Sequence, residues 1–151
     1  MKLAVGPVLY YWSREALLDF YAGVARSGAD VVYLGEVVCS RRHGLRFDDW
    51  LGIARELRGA GKEVVLSSQA LLESEAELRA LRQLARNGEF AVEANDASAL
   101  ALLAGAPGFV AGPHLNVYNE ETLAWVAELG AKRWVPEIGR ASCRERVSFL
   151  V

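Results

Sequence analysis

The chain has 151 residues, 52% hydrophobic and 24% charged, which is long and apolar enough for one domain with a buried core. Its net charge of −2 excludes the positive field that binding to nucleic acid or an anionic membrane needs. Two cysteines are too few for a disulfide framework, so we expect a reducing, cytoplasmic location. Gly6 and Pro7 interrupt the apolar start, which predicts a strand and no signal peptide. No apolar run reaches the roughly 18 residues of a membrane span.

Six short apolar segments are predicted to be buried strands, and each of the first five is followed by a segment with helical periodicity. The predicted strands are residues 3–8, 31–34, 63–70, 90–94, 109–112 and 133–135. The intervening helices are predicted to begin at the capping residues Ser13, Asp48, Ser74, Asp96 and Asn119. Strands that alternate with helices in this way predict a parallel sheet.

A parallel sheet of this kind can be an open doubly wound sheet or a barrel. No G-x-G-x-x-G sequence follows the first strand, which weakens the dinucleotide-binding interpretation. Polar residues follow the second, fourth and fifth strands alike, and this arrangement favours a barrel. A complete barrel has eight units and typically ~250 residues. The sequence therefore predicts an α/β, TIM-barrel-like (β/α) repeat with parallel strands, truncated to about five βα units plus a sixth strand.

The stretch 30–43, DVVYLGEVVCSRRH, combines a buried strand with chemically reactive side chains. The strand breaks at Gly35, presents Glu36, and continues to Cys39 and the basic run Arg-Arg-His at 41–43. Basic neighbours would lower the pKa of the Cys39 thiol and suit a nucleophile or a metal ligand. The equally weighted alternative is a small, buried apolar side chain at the end of a strand.

Carboxylates also occur at the ends of two predicted strands. Glu36 and Glu93 lie in otherwise apolar segments, where burial without a purpose would be costly, so acid–base work or cation binding is favoured for both. Asn95 and Asp96 follow Glu93 directly, and Asp96 is better explained as a helix cap than as a site residue.

A third polar group follows the fifth predicted strand, and its members include a histidine that could act as a base or a ligand. Because the carboxyl ends of parallel strands meet at one edge, the polar residues after the strands are expected to cluster at the mouth of the barrel. The predicted site consists of Glu36, Cys39, Glu93, Asn95, His114 and Asn116. The sequence has no Ser-His-Asp order, H-E-x-x-H or C-x-x-C, so neither a standard hydrolase nor a zinc site is supported.

Six segments of the chain carry a resemblance to a known family. These are GPVLYYW, DVVYLGEVVCSRRH, GKEVVLSSQALLES, NGEFAVEANDASAL, FVAGPHLNVYN and RWVP. In order and spacing, over residues 1–136, they resemble the UbiV-type, ubiquinone-biosynthesis branch of the collagenase-like peptidase family U32.

The resemblance implies a barrel-like fold, an oxygen-sensitive 4Fe–4S cluster and a part in the oxygen-independent hydroxylation of a small-molecule ubiquinone precursor. It also implies a heterodimer with a UbiU-like partner. Within the resemblance, Cys39 matches the first of the four cysteines that hold the cluster. The other three lie downstream of the matching region in the family, so the cluster is not expected in this chain. The catalytic residues stay unknown, with Glu36, Glu93, His114 and Asn116 as candidates.

Two other functions stay open at this stage. The chain could be a U32 peptidase, which cleaves peptide bonds, although the loop sequence VVCSRRH fits the ubiquinone-biosynthesis branch better. It could also be an inactive barrel fragment, since one credible ligand cannot hold a cluster that needs about four.

The end of the chain departs from the family pattern. Residues 137–147, EIGRASCRERV, can be back-translated residue for residue into a common sequencing-library adapter. We therefore expect residues 1–136 to be the N-terminal part of a U32-type barrel domain and residues 137–151 to be a non-native tail. Cys143 would then not be a metal ligand.

Overall fold

A computed structural model describes residues 2–42, 44–106 and 108–137 of the chain. In these residues, six strands form one parallel sheet. The strands are β1 (Ala4–Val5), β2 (Val31–Leu34), β3 (Glu63–Ser67), β4 (Ala91–Ala94), β5 (Phe109–Ala111) and β6 (Ala131–Trp134). All six predicted strands are present, and most are shorter than predicted.

The strands pair in sequence order, from β1 to β6, and every pair is parallel. In a doubly wound sheet, the order of the strands reverses about an inner strand. The sequential order seen here therefore confirms the barrel-like prediction and not the open, doubly wound sheet. The sheet curls into a half-barrel. One irregularity lies between β5 and β6, where the register shifts between Phe109 and Val110.

Five α-helices connect the strands and cover one face of the sheet. They are α1 (Arg14–Ala25), α2 (Phe47–Gly59), α3 (Glu75–Ala85), α4 (Ala97–Leu103) and α5 (Glu120–Glu128). In the ranges that the structure describes, none of them is long and apolar enough to cross a membrane.

Four of the five predicted helix caps are confirmed. Ser13, Ser74, Asp96 and Asn119 each accept a hydrogen bond from a backbone N–H in the first turn of the helix that follows. The prediction for Asp48 is wrong, because α2 begins at Phe47 and its N-cap is Arg46, two residues before Asp48. Asp49, in the first turn of the helix, stabilises this end, since its carboxylate accepts a hydrogen bond from the Arg46 N–H at 2.8 Å.

The side chains of the strands alternate between the two faces of the sheet. Val32, Leu34 and Leu66 pack with side chains of α1 and α2 in the main apolar core on the helix-covered face. A second helix-covered core surrounds Phe109, which is 1% exposed, and contains residues of α3, α4 and α5. On the opposite, concave face lies a smaller cluster formed by Val31, Tyr33, Val65 and Val110. The polar residues described next follow the carboxyl ends of these strands.

Candidate functional site

The carboxyl end of β4 carries two of the four buried polar side chains in the described part of the chain, and the other two are Ser67 and Ser68. Glu93 is 3% exposed and Asn95 is 1% exposed. The Asn95 amide Nδ2 donates a 3.0 Å hydrogen bond to the Glu93 carboxyl and a 3.1 Å hydrogen bond to the backbone oxygen of Ser68. The backbone N–H of Asn95 donates to the Ser68 hydroxyl at 2.9 Å. These bonds fix Glu93 at the junction of β3 and β4.

Burial dominates the chemistry of the Glu93 carboxyl. It raises the pKa of Glu93, and the neighbouring side chains of Ser67 and Asn95 together with the charge of His114 lower it by less. A carboxylic acid that keeps its proton above the usual pH range can donate as well as accept a proton. Glu93 is therefore the acid–base candidate with the clearest physical basis among the predicted residues.

Two buried polar atoms beside Glu93 have no hydrogen-bond partner among the described residues. They are Asn95 Oδ1 and the Ser67 hydroxyl oxygen. The Ser67 hydroxyl lies close enough to Glu93 to affect its pKa, but not in hydrogen-bond geometry. Buried oxygen atoms without a hydrogen-bond partner are uncommon in proteins. At the ends of β3 and β4, two such atoms therefore have hydrogen-bonding capacity that no described residue satisfies.

Glu36 organises the loop after β2. Its Oε1 accepts hydrogen bonds from the backbone N–H groups of Cys39 at 3.2 Å and Val38 at 3.4 Å. The Arg42 guanidinium lies 3.6 Å from the same oxygen and donates a 2.9 Å hydrogen bond to the backbone oxygen of Leu9. Glu36 thus holds the half-buried Cys39 in place and ties this loop to the loop after β1.

His114 and Asn116 follow β5 on the short 3₁₀ turn Pro113–Leu115 and directly after it. His114 is exposed, and its charge acts on Glu93. Asn116 has a left-handed backbone with φ of 55°, and its Oδ1 accepts a 3.0 Å hydrogen bond from the Tyr118 hydroxyl. This contact gives Asn116 a structural role in shaping the turn.

The described contacts therefore arrange five of the six predicted residues in two groups at one edge of the sheet, and Asn116 belongs to neither. Glu93, Asn95 and His114 form one group, while Glu36 and Cys39 form the other. Ser67 and Ser68, at the end of β3, lie between the groups, because they neighbour Glu93 and Asn95 and line one cavity together with Glu36. That all six residues act in one site stays a prediction. His43 lies outside the described residues.

The described residues do not supply the ligands of a 4Fe–4S cluster. Such a cluster takes about four cysteine thiolates. Cys39 is the one cysteine in the described ranges, and no group of three or more His, Cys, Asp or Glu residues there could hold a metal ion. Cys143 lies outside the described residues. No chemical step is therefore assigned to a cluster in this chain.

A cavity of about 360 Å³ lies between the helix-covered face of the sheet and the three helices α1, α2 and α3, and it opens at the carboxyl ends of the strands. Leu34 and Leu66 form part of its wall, together with Trp50 of α2 and Leu81 of α3. This cavity was not predicted from the sequence. The signals that could have indicated it are the Tyr-Tyr-Trp run at 10–12, in the loop between β1 and α1, and the serine pair at 67–68, where β3 ends.

Comparison with known proteins adds no assignment to this geometry. No protein-family model matches the chain, and no solved structure matches it.

Proposed function

We propose that the chain corresponds to the N-terminal part of a UbiV-like protein, which acts with a UbiU-like partner in oxygen-independent hydroxylation of a ubiquinone precursor. One observation carries the proposal. The first of the six segments that resemble the U32 family follows β1, and the other five occur in order on β2 to β6 and on the residues that follow these strands in one sequential parallel sheet. In (β/α) barrels, the edge at the carboxyl ends of the strands is where active sites are found.

The side chains at this edge support chemistry on a small molecule. Glu93 is buried and has a raised pKa, so it can hold a proton next to a bound substrate. Glu36 fixes the Cys39 loop, and the exposed His114 supplies a second titratable group on the Glu93 side. In this proposal, Glu93 is the acid–base residue, and Glu36 is a positioning residue that acts through the loop it holds.

Cys39 has a separate place in the proposal. It matches the first cluster cysteine of the family, and the other ligands would have to come from outside the described residues. The 4Fe–4S cluster, where bound, would supply electron transfer. The residues of this chain would provide one thiolate and the loop geometry around it.

Anaerobic co-purification with a UbiU-type protein tests the partner claim. We expect a complex whose mass, measured by light scattering, equals one copy of each chain. The matched control is a bacterial protein of similar size and charge without a U32 domain, which should elute separately. Two separate peaks with the UbiU-type protein, together with hydrolysis of gelatin that Glu93→Gln removes, would replace the proposal with a U32 peptidase.

A further inference from the structure

The cavity between the sheet and helices α1–α3 has the properties of a small-molecule site. Its volume of about 360 Å³ falls in the range of known ligand pockets, roughly 300–1,000 Å³. Its wall is built mainly from apolar and aromatic side chains that belong to the sheet, the three helices and the loops after β1, β2 and β3. Those apolar lining residues include Trp12, Leu34, Phe47, Trp50, Leu66 and Leu81.

Among the described residues, every charged side chain that lines the cavity already has a partner within the protein. Glu36 and Arg42 lie 3.6 Å apart at the opening. Glu77 accepts hydrogen bonds from the Ser74 hydroxyl at 3.0 Å and from the backbone N–H of Glu73 at 2.8 Å, where it completes the cap of α3. An incoming charge would lose hydration without a matching counter-charge, so the cavity favours an uncharged ligand.

Aromatic side chains at the rim favour a ligand that contains a ring. Tyr10 is 81% exposed and Tyr11 is 68% exposed, and both line the opening. Behind them, Trp12 packs edge-on against Phe20 with a centroid distance of 5.3 Å, which holds this loop in place. Exposed aromatic faces next to an apolar cavity gain free energy when a second ring covers them.

Ser67 lines the cavity, but its hydroxyl is not directed into it. Leu66 packs in the helix-covered core, so Ser67, the next residue of β3, places its side chain on the concave face beside Glu93. The contacts that the cavity offers to a ligand are therefore mainly apolar and aromatic.

We propose that this cavity binds an uncharged, mainly apolar small molecule with a ring at the Tyr10–Tyr11 opening. The inference rests on the cavity and not on the function proposed above, so its failure would leave that proposal standing.

The test uses 2-naphthol and 2-naphthoate, a neutral and an anionic ligand of nearly equal shape, in isothermal titrations with the full chain. We expect saturable binding of 2-naphthol and at least tenfold weaker binding of 2-naphthoate, because the carboxylate would lose hydration without gaining a counter-charge. Equal affinities, or no saturable binding of 2-naphthol, would overturn the proposal.

Two variants locate the bound ligand. Ala80 is an exposed residue of α3 that lines the cavity, so Ala80→Phe should obstruct the cavity without overpacking the core and should weaken 2-naphthol binding about tenfold or more. The matched control is Ala101→Phe, on the exposed face of α4 and away from the cavity wall. Equal affinity in the two variants would show that the ligand binds elsewhere.

Tyr11→Ser gives a second test that leaves the core intact, because this tyrosine is largely exposed. It should weaken 2-naphthol binding several-fold. Sedimentation of the unliganded chain tests the competing occupant, a second copy of the chain. A dimer that Tyr11→Ser dissociates would show that self-association covers the rim, and it would overturn the assignment to a small molecule.

Discussion

Arg133 of β6 donates a 2.6 Å hydrogen bond to the carboxylate of Glu63 in β3, although β4 and β5 lie between these strands. In a flat sheet, three strand spacings of about 4.8 Å would separate the two backbones by roughly 14 Å. The contact therefore depends on the curl of the half-barrel. Arg133 also donates to the Tyr33 hydroxyl at 3.4 Å, so one arginine links three strands across the concave face.

This pair gives a prediction about stability. Its side chains are 31% and 39% exposed, so solvent screens part of the attraction. Arg133→Met should lower the free energy of unfolding by about 1 kcal/mol. Urea denaturation of Arg133→Met, Glu63→Gln and the double variant measures the coupling. Additive losses would show that the contact does not stabilise the curled sheet.

The raised pKa of Glu93 predicts how stability depends on pH. In the unfolded chain this group releases its proton near pH 4.5, whereas the folded chain keeps the proton to a higher pH. Between these two values the folded state binds more protons, so stability falls as pH rises through the window and then levels off.

Glu93→Gln should remove this fall, because the amide does not titrate and can still accept a hydrogen bond from Asn95. Thermal unfolding at closely spaced pH values from 4 upwards gives the comparison. Glu56→Gln, which changes an exposed carboxylate of α2, is the control. A pH profile that is the same in wild type and Glu93→Gln would mean that Glu93 does not have a raised pKa.

Substitution by alanine should change the stability of the chain in opposite directions at two glycines. A Cβ on Gly112 would lie 2.0 Å from Asn95 Oδ1 and 2.9 Å from the backbone oxygen of Ala94. Gly112→Ala should therefore displace Asn95 and cost roughly 1–3 kcal/mol. Gly52, inside α2, has no atom within 4 Å of the new carbon, so Gly52→Ala should stabilise the chain by about 1 kcal/mol. Chemical denaturation of both variants measures the direction of each change in the free energy of unfolding. Stabilisation by Gly112→Ala would contradict the described position of Asn95.

Iron and sulfide reconstitution under anaerobic conditions tests the ligand assignment. We expect no stoichiometric cluster absorbance from this chain, because Cys39 alone cannot replace the roughly four thiolates that a cluster requires. Cys39→Ser and Cys143→Ser are the informative variants. Stoichiometric absorbance that disappears in Cys143→Ser would make Cys143 a true ligand and would contradict the interpretation of residues 137–151 as a non-native tail.

The strand order and most helix starts were predictable because they depend on local rules. Ser13, Ser74, Asp96 and Asn119 accept from N–H groups only two or three residues away, so the sequence pattern contains the whole interaction. The start of α2 was not predictable in this way. Asp49, which stabilises this end of the helix, also forms a bidentate pair with Arg14, 35 residues earlier in the chain, at 2.7 and 2.8 Å.

The candidate site was predictable only in part. Glu93 stood out because a carboxylate in an apolar strand needs an explanation. The cavity did not stand out in the sequence, because it arises from the space that α2 and α3 leave between them. That space depends on side-chain packing over distant parts of the chain. Ser67 shows the difficulty, since its sequence neighbours indicate only a strand end, whereas its burial beside Glu93 gives it chemical significance.

The most direct test of the proposed function is anaerobic ubiquinone synthesis in a bacterium that lacks its own UbiV-type protein. A chimera joins residues 1–136 of this chain to the remaining C-terminal part of the host protein. We predict that it restores ubiquinone without oxygen, that Cys39→Ser abolishes the restoration, and that Val38→Ser, at the exposed neighbouring position, does not. A well-expressed chimera that produces no ubiquinone, or one that works equally well with Cys39→Ser, would contradict the account.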